Sequence, residues 1–177
     1  VDLAGELWTH HLPTGRRTRL TEGADRPAGV FHGLAEYIAQ EEMGRQQGLW
    51  WSDDGRRLAF TRVDESAVPL FHIPHLAEAD VGDEAMRFPF AGKANAVVTL
   101  AIADAETGAV VWTGIEAGAG DEAREYLARV HWLPSGKLAV ALQNREQTEL
   151  ELVAVDPDTL EAAPVLQETS AAWVSLR

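Results

Sequence analysis

Hydrophobic and polar residues alternate along most of the chain in short runs, and turn residues separate one run from the next. In residues 57–64, Leu58 and Phe60 alternate with Ala59 and Thr61, which is the period of a β-strand. Residues 36–42 predict about one helical turn. We expect residues 74–92 and 114–121 to be irregular. Strands are predicted over residues 6–12, 16–20, 49–51, 57–64, 68–73, 95–103, 109–113, 126–132, 137–143, 149–155 and 160–166.

Two turn signatures recur along the chain. The Trp-Ser-Asp-Asp-Gly run at residues 51–55 matches the Trp-Leu-Pro-Ser-Gly run at residues 132–136, and a Leu-Ala pair follows each run. The second signature is a threonine turn after a strand, at Thr14, Thr107 and Thr159. Repeated turns between short antiparallel strands are typical of β-propeller blades. The alternative is a pair of unrelated hairpins in a β-sandwich.

The length of the chain sets how much of a propeller it can form. A blade takes roughly 40–50 residues, so the chain would hold about three to four blades. Closed propellers usually have about 4–8 blades. The sequence therefore predicts an all-β fold that is a partial β-propeller, with a short helical turn inserted in it. The chain begins at Val1 rather than at a methionine, and we expect it to be part of a longer protein.

The chain is strongly acidic, with 28 Asp and Glu against 15 Lys and Arg and a formal net charge of −13. Nucleic acids and anionic membranes bind clustered basic residues, so neither is an expected partner. The acidic excess favours cationic ligands. The absence of cysteine excludes disulfides and thiolate metal sites. No apolar run reaches the roughly 20 residues that span a bilayer, and composition does not decide between cytoplasm and periplasm.

The predicted helical turn carries two adjacent carboxylates, Glu41 and Glu42. Adjacent carboxylates repel each other, and a cation bound between them relieves the repulsion. The α-amine of a peptide has a pKa of about 8 and is mostly protonated at neutral pH. An ammonium group has three N–H donors that two carboxylates can accept. The pair is therefore a candidate site for a peptide amino terminus, and a solvated acidic turn is the alternative.

Several segments together resemble the dipeptidyl peptidase IV family of serine exopeptidases, in its bacterial form. The central block joins the double glutamate to a Trp-Trp-Ser-Asp-Asp-Gly strand and turn, and then to an acidic segment that ends in Val-Pro-Leu. A later Arg-Phe-Pro-Phe-Ala-Gly-Lys-Ala-Asn run is similar to the family's Arg-x-Pro-x-x-Gly-x-x-Asn segment. The similar segments cover nearly the whole chain, at residues 37–43, 48–60, 64–70, 87–95, 126–132 and 168–174.

This resemblance implies a fold and a set of partners. Residues 1–177 would be a fragment of an N-terminal propeller that has eight blades in this family. The propeller would cover an α/β-hydrolase domain, which we expect to lie outside this chain. The implied partners are peptides with a free amino terminus, the protein's own C-terminal hydrolase domain and a second copy of the protein in a homodimer. No cofactor is implied.

The resemblance also implies which residues form the substrate site. Glu41 and Glu42 would hold the α-ammonium group of the peptide, so that cleavage falls after the second residue, usually Pro or Ala. Tyr37, Gln40 and Arg45 would lie at the rim of the site, and we expect Arg45 to form a surface ion pair with Glu42. Animal members commonly carry an aromatic residue and a third acid where this chain has alanine and glutamine, which leaves the shape of the rim open.

Catalytic chemistry is not expected from this chain itself. A hydrolase nucleophile lies in a Gly-x-Ser-x-Gly turn, and the serines of the chain lack that frame, namely Ser52, Ser66, Ser135, Ser170 and Ser175. We therefore expect the chain alone to be inactive. Two other functions stay open, a non-catalytic propeller that binds a protein partner and a relative of prolyl oligopeptidase or acylaminoacyl peptidase.

Histidine pairs offer weak metal candidates. His72 and His75 are spaced as ligands on one helix face would be, but Pro74 between them disfavours a helix. His10 and His11 are adjacent in a predicted strand, so their side chains point to opposite faces. We expect no metal site.

Overall fold

The computed structural model describes residues 1–75, 82–120 and 124–176. These residues are 46% strand and 4% helix, which confirms the predicted all-β fold. No helix in these ranges has the length and apolar character that a membrane span needs. The elements in chain order are β1 Trp8–His11, β2 Arg16–Arg19, β3 Val30–His32, α1 Tyr37–Glu41, β4 Leu49–Trp51, β5 Arg57–Asp64, β6 Leu70–Ile73, β7 Glu84–Arg87, β8 Val97–Asp104, β9 Val110–Ala117, β10 Tyr126–Trp132, β11 Leu138–Gln143, β12 Glu149–Val155 and β13 Ala162–Thr169.

The first sheet contains β3, β4, β5, β8 and β9, all paired antiparallel. Its centre is the pair β5 and β8, which runs in register from Arg57 opposite Asp104 to Asp64 opposite Val97. Both strands are buried on both faces over most of their length. β8 is accordingly apolar at six of its eight positions, whereas β5 also carries two arginines, a threonine and an aspartate. β3 and β4 share the other edge of β5, so that edge is covered in two separate pieces.

The second sheet contains β10 to β13 in sequence order, each paired antiparallel with the next. The register of β10 against β11 shifts between Leu127 and Arg129, so Ala128 is the extra residue of a β-bulge. Two further hairpins complete the described strands. β1 pairs with β2, and β6 pairs with β7.

Both sheets bury apolar side chains between them. Because β3 and β4 share one edge of β5, each sheet is four strands wide. Antiparallel sheets of this width, stacked through such cores, are the architecture of β-propeller blades, in agreement with the sequence prediction. The opposite face of the first sheet packs on Leu7 and Leu20, which flank the β1–β2 hairpin. The core shared by the two sheets is built from Phe31, Ala59, Val63, Val68, Ala96, Val98, Leu100, Ile102, Ile115, Ala117, Leu127, Val130, Leu138, Val140, Leu142, Val153 and Val155.

The two repeated turn signatures occupy equivalent places in the sheets. The first joins β4 to β5 and β10 to β11, and both copies place a glycine in the left-handed region, Gly55 at φ 68° and Gly136 at φ 81°. The second signature joins β1 to β2, β8 to β9 and β12 to β13. Its left-handed residue is glycine in the first two copies and Leu160, at φ 62°, in the third. The repeat seen in the sequence is therefore a repeat of structure.

Two regions that we expected to be irregular contain strands. β7 lies within residues 74–92 and pairs with β6. β9 continues past Gly114 to Ala117, although the glycines of residues 114–121 predicted a loop. Gly114, at φ 76°, lies at a register shift opposite Leu100 of β8, so it forms a bulge rather than ending the strand.

A buried polar cluster links the chain before β1 to the first sheet. Glu6 and His32 are both about 2% exposed, and Nδ1 of His32 lies 3.2 Å from Oε2 of Glu6. Burial lowers the pKa of His32, against the opposing effect of the Glu6 carboxylate. Burial acts to raise the pKa of Glu6, but hydrogen bonds from Thr21, Ala24 and Arg19 outweigh it and lower the pKa.

These shifts predict that acid destabilises the fold. The folded state binds a proton at His32 less readily than the unfolded chain does. The contribution of His32 to the free energy of unfolding is therefore lost as the pH falls below the ordinary histidine pKa of 6.5. Glu6 also lowers the free energy of unfolding when the pH falls below the ordinary glutamate pKa of 4.5. Between pH 7 and pH 5, the urea midpoint of the unchanged protein should therefore decrease relative to the midpoint of His32→Gln. An equal dependence of the midpoint on pH in the two proteins would contradict this prediction.

Candidate functional site

The double glutamate lies on a segment that interrupts one edge of the first sheet. β3 pairs with residues 62–64 of β5, and β4 pairs with residues 58–60. Between these two pairings the chain leaves the sheet at Gly33 and returns at Gly48. We call residues 33–48 the projecting segment, and α1 lies within it.

The neck of the projecting segment is closed by backbone hydrogen bonds around Thr61. The Gly33 amide donates to the Thr61 carbonyl at 2.8 Å, and the Thr61 amide donates to the Gly48 carbonyl at 2.8 Å. The Gly48 amide donates to the Gly33 carbonyl at 3.1 Å. A Cβ on Gly48 would lie 2.2 Å from Oγ1 of Thr61 and 2.6 Å from the Leu34 carbonyl oxygen. The close packing of the neck is therefore possible only with glycine at residue 48.

Glu41 and Glu42 lie at the outer end of this segment. Glu41 is the last residue of α1, and Glu42 is its C-cap. Both side chains are exposed, and none of the hydrogen bonds or ion pairs in the described ranges engages either carboxylate. Carbonyl groups point out of the C-terminal end of a helix, and that end favours cations. Two free carboxylates next to helix carbonyls form a concentrated negative site.

Arg45 does not lie at the rim, and the prediction that it pairs with Glu42 at the surface is wrong. The Arg45 and Glu36 side chains are each 6% exposed, and Nη2 of Arg45 lies 3.0 Å from Oε2 of Glu36. The guanidinium also lies 5.9 Å from the centre of the Trp50 ring. Arg45 points inward because Glu36, nine residues earlier, is buried and supplies the opposite charge.

The projecting segment packs on the second sheet. Met43 is buried with Ala128 and Ala141 of β10 and β11. Nη2 of Arg45 donates to the Leu127 carbonyl of β10 at 3.2 Å. The segment therefore starts from one sheet and is fastened to the next.

Tyr37 and Gln40 lie on the side of α1 that faces the β6–β7 hairpin. Both line a cavity of about 690 Å³ between α1, β3 and that hairpin. The Tyr37 ring packs edge to face on Phe88, with ring centres 5.0 Å apart. Gln40 donates from Nε2 to the Ala35 carbonyl at 2.6 Å. These two predicted rim residues border a cavity beside the double glutamate.

The same cavity is lined by a carboxylate that the sequence did not single out as a site residue. Glu65 lines it together with Arg26 and Arg87. Burial raises the pKa of Glu65, and the Glu36 carboxylate adds to the rise, while the two arginines oppose it. The acid that follows β5 is therefore close to the start of α1 in space, although 29 residues separate Glu36 and Glu65 in the sequence.

Arg87 joins this cavity to the hairpin. Its guanidinium donates to the carbonyls of Ser66, Val68 and Ala28 at 2.9 to 3.1 Å. Among the described residues no three His, Cys, Asp or Glu side chains are grouped as a metal site would need.

The sequence pointed to Glu41 and Glu42 but not to the contacts that anchor the projecting segment. The signals that were available are Glu36 and Arg45, opposite charges placed just before and just after the helical turn, and the glycine directly before β4. Neither signal identifies Leu127 or Phe88, because these partners come from distant parts of the chain.

Comparison with known proteins adds independent observations. The sequence model of the family described as "Dipeptidyl peptidase IV (DPP IV) N-terminal region" matches residues 3–177. A "Probable dipeptidyl-aminopeptidase B" of Talaromyces marneffei is 31% identical over 163 residues, which are 85% of this chain and 18% of that protein. The protein of the same name from Emericella nidulans is 28% identical over 185 residues, 95% of this chain and 20% of its own length.

A solved structure has the same fold. The crystal structure of Porphyromonas gingivalis dipeptidyl peptidase 4 matches with a TM-score of 0.85 and 24% identity, and the match covers 96% of this chain and 24% of that one. The chain thus spans about a fifth of the length of the curated relatives it matches.

Proposed function

The chain belongs to the family of dipeptidyl peptidase IV N-terminal regions, and on this basis we propose that it is the substrate-gating part of a serine exopeptidase that releases dipeptides from peptides. The full-length protein would add a C-terminal α/β-hydrolase domain that carries the catalytic serine. Glu41 and Glu42 would bind the α-ammonium group and so fix which peptide bond reaches that serine. Peptides with Pro or Ala as second residue are the proposed substrates.

The observation that carries this proposal is the exposure of two free carboxylates on an anchored segment. A surface pair of acids on a mobile loop gains little from binding a cation, because ordering the loop costs conformational entropy. Here the backbone is already ordered before a peptide binds, because the neck at Gly33 and Gly48 and the buried Arg45 hold it. Binding energy is then available to position the peptide rather than to order the site.

An ammonium ion suits this site in charge and in hydrogen bonding. Its three donors can be shared between the Glu41 and Glu42 carboxylates in charge-assisted hydrogen bonds. An acetylated amine has lost the charge and keeps one N–H donor. The site would therefore distinguish a free amino terminus from a blocked one, which is the selectivity that an enzyme releasing amino-terminal dipeptides needs.

The test is a substrate comparison on the full-length protein. A chromogenic dipeptide anilide with proline in second position should be cleaved when its amino terminus is free and should resist when it is acetylated. Release of intact dipeptides from a longer peptide, measured by mass spectrometry, should accompany this activity. Cleavage of the acetylated substrate at an equal rate would indicate an acylaminoacyl peptidase or endopeptidase, and absence of all cleavage would indicate a binding module.

A further inference from the structure

Arg45 and Glu36 close the central part of the projecting segment into a ring. Nη2 of Arg45 lies 3.0 and 3.3 Å from the two carboxylate oxygens of Glu36. The Arg45 amide donates to the Ala39 carbonyl at 2.8 Å. The residues between them include α1, Glu41 and Glu42. A buried ion pair therefore joins the two ends of the stretch that carries the proposed substrate carboxylates.

The same guanidinium fastens this ring to the second sheet. Its bond to the Leu127 carbonyl, 3.2 Å long, reaches β10 beside the bulge at Ala128. Met43 packs against Ala128. Bulges bend a strand and redirect its groups locally, and this one lies where the ring touches the sheet. One side chain thus fixes both the closure of the ring and its place on the neighbouring sheet.

A buried ion pair is a costly way to stabilise a fold. Apolar residues of similar volume often stabilise as much or more, because they carry no desolvation penalty. What an ion pair with an added carbonyl bond provides is direction, since charge-assisted hydrogen bonds have strict geometry. Glu41 and Glu42 make no side-chain contacts of this kind in the described ranges, so the ring holds the backbone positions from which their carboxylates extend.

We propose that Arg45, through its buried pair with Glu36 and its bond to the Leu127 carbonyl, is a positioning residue that holds Glu41 and Glu42 in place for the substrate ammonium group. This inference rests on the function proposed above. Without Arg45 the ring is correctly placed only part of the time, so the apparent affinity falls by that fraction. Complexes that do form have the normal arrangement and react at the normal rate.

The experiment uses the full-length protein with a free-amine dipeptide anilide. Removing Arg45 alone would strand the buried Glu36 charge, so the main variant is Glu36→Gln/Arg45→Met, which removes both charges. We expect KM to rise by about tenfold or more while kcat stays within about threefold. Arg45→Lys keeps the charge but loses the planar fork, and it should fall between the main variant and the unchanged protein.

A matched control lies on the same strand. Nη1 of Arg129 donates to the Ala128 carbonyl at 2.9 Å, so Arg129→Met also removes an arginine-to-carbonyl bond at the bulge, but one that does not involve the projecting segment. It should leave KM unchanged. An equal rise of KM in Arg129→Met would overturn the inference, because general damage to β10 would then explain the effect.

A second background separates this inference from the function it rests on. If Arg45 acts through the carboxylates, Glu36→Gln/Arg45→Met should have no further effect on KM once Glu41→Gln/Glu42→Gln is present. A full further rise in that background would overturn the positioning role. If Glu41→Gln/Glu42→Gln itself leaves KM and kcat unchanged, the proposed function fails and the positioning role fails with it. If that variant loses activity but the Glu36/Arg45 variant does not, only the positioning role fails.

Discussion

Replacing Glu41 or Glu42 by alanine in the full-length protein should lower kcat/KM for a free-amine dipeptide substrate by about 2 to 5 kcal/mol. Each substitution leaves the substrate ammonium with half of its proposed partners. The loss should appear in steady-state kinetics with chromogenic dipeptide anilides. It should be largest when both acids are removed, and the two effects should not be additive, because the residues act on one group.

Two controls decide what such a loss means. An amino-blocked substrate cannot use the ammonium site, so its residual hydrolysis should be the same in Glu41→Ala as in the unchanged protein. Glu146→Ala removes one exposed acid elsewhere on the surface and should leave both activities unchanged, which excludes a general effect of net charge. Equal losses on free and blocked substrates would refute recognition of the ammonium group.

Gly48→Ala should damage the neck of the projecting segment. The new methyl group would lie 2.2 Å from Oγ1 of Thr61 and 2.6 Å from the Leu34 carbonyl oxygen. The second neighbour is backbone and cannot rotate away, so the neck has to open. We expect a loss of about 1 to 3 kcal/mol in the free energy of unfolding, measured by urea titration with tryptophan fluorescence, together with a raised KM for free-amine substrates.

Gly82→Ala is the matched control for this substitution. A Cβ on Gly82 meets nothing within 4 Å, so the same chemical change there should leave the urea midpoint and KM unaltered. If Gly48→Ala behaved like Gly82→Ala, the neck would not be the constraint that the structure indicates.

Local patterns in the sequence were sufficient for the fold class and for the turns. Alternation in residues 57–64 and the paired turn signatures predict strands and their connections, because strand period and turn chemistry depend on neighbouring residues. Local patterns gave the wrong prediction at β9, where we expected a loop from residue 114 onwards. Gly114 reads as a loop residue, yet its left-handed conformation is accommodated as a bulge because β8 supplies a partner strand.

The site was predictable only in part. The resemblance pointed to Glu41 and Glu42, and α1 lies within the predicted helical turn at residues 36–42. The pairing of Arg45 with Glu36 was not predictable, since it depends on burial. In the sequence, Glu42 is three residues from Arg45 and Glu36 is nine residues away, so sequence distance favours Glu42 as the partner. The structure buries Glu36 and leaves Glu42 in solvent, and a buried charge requires a partner more strongly than an exposed one.

The most direct measurement is a crystal structure of the full-length protein with a dipeptide product bound. We predict that the α-ammonium nitrogen lies about 2.7 to 3.2 Å from carboxylate oxygens of both Glu41 and Glu42, with Arg45 still bonded to Glu36. A dipeptide whose amino terminus is held by other groups, with the two glutamates still pointing into solvent, would contradict it.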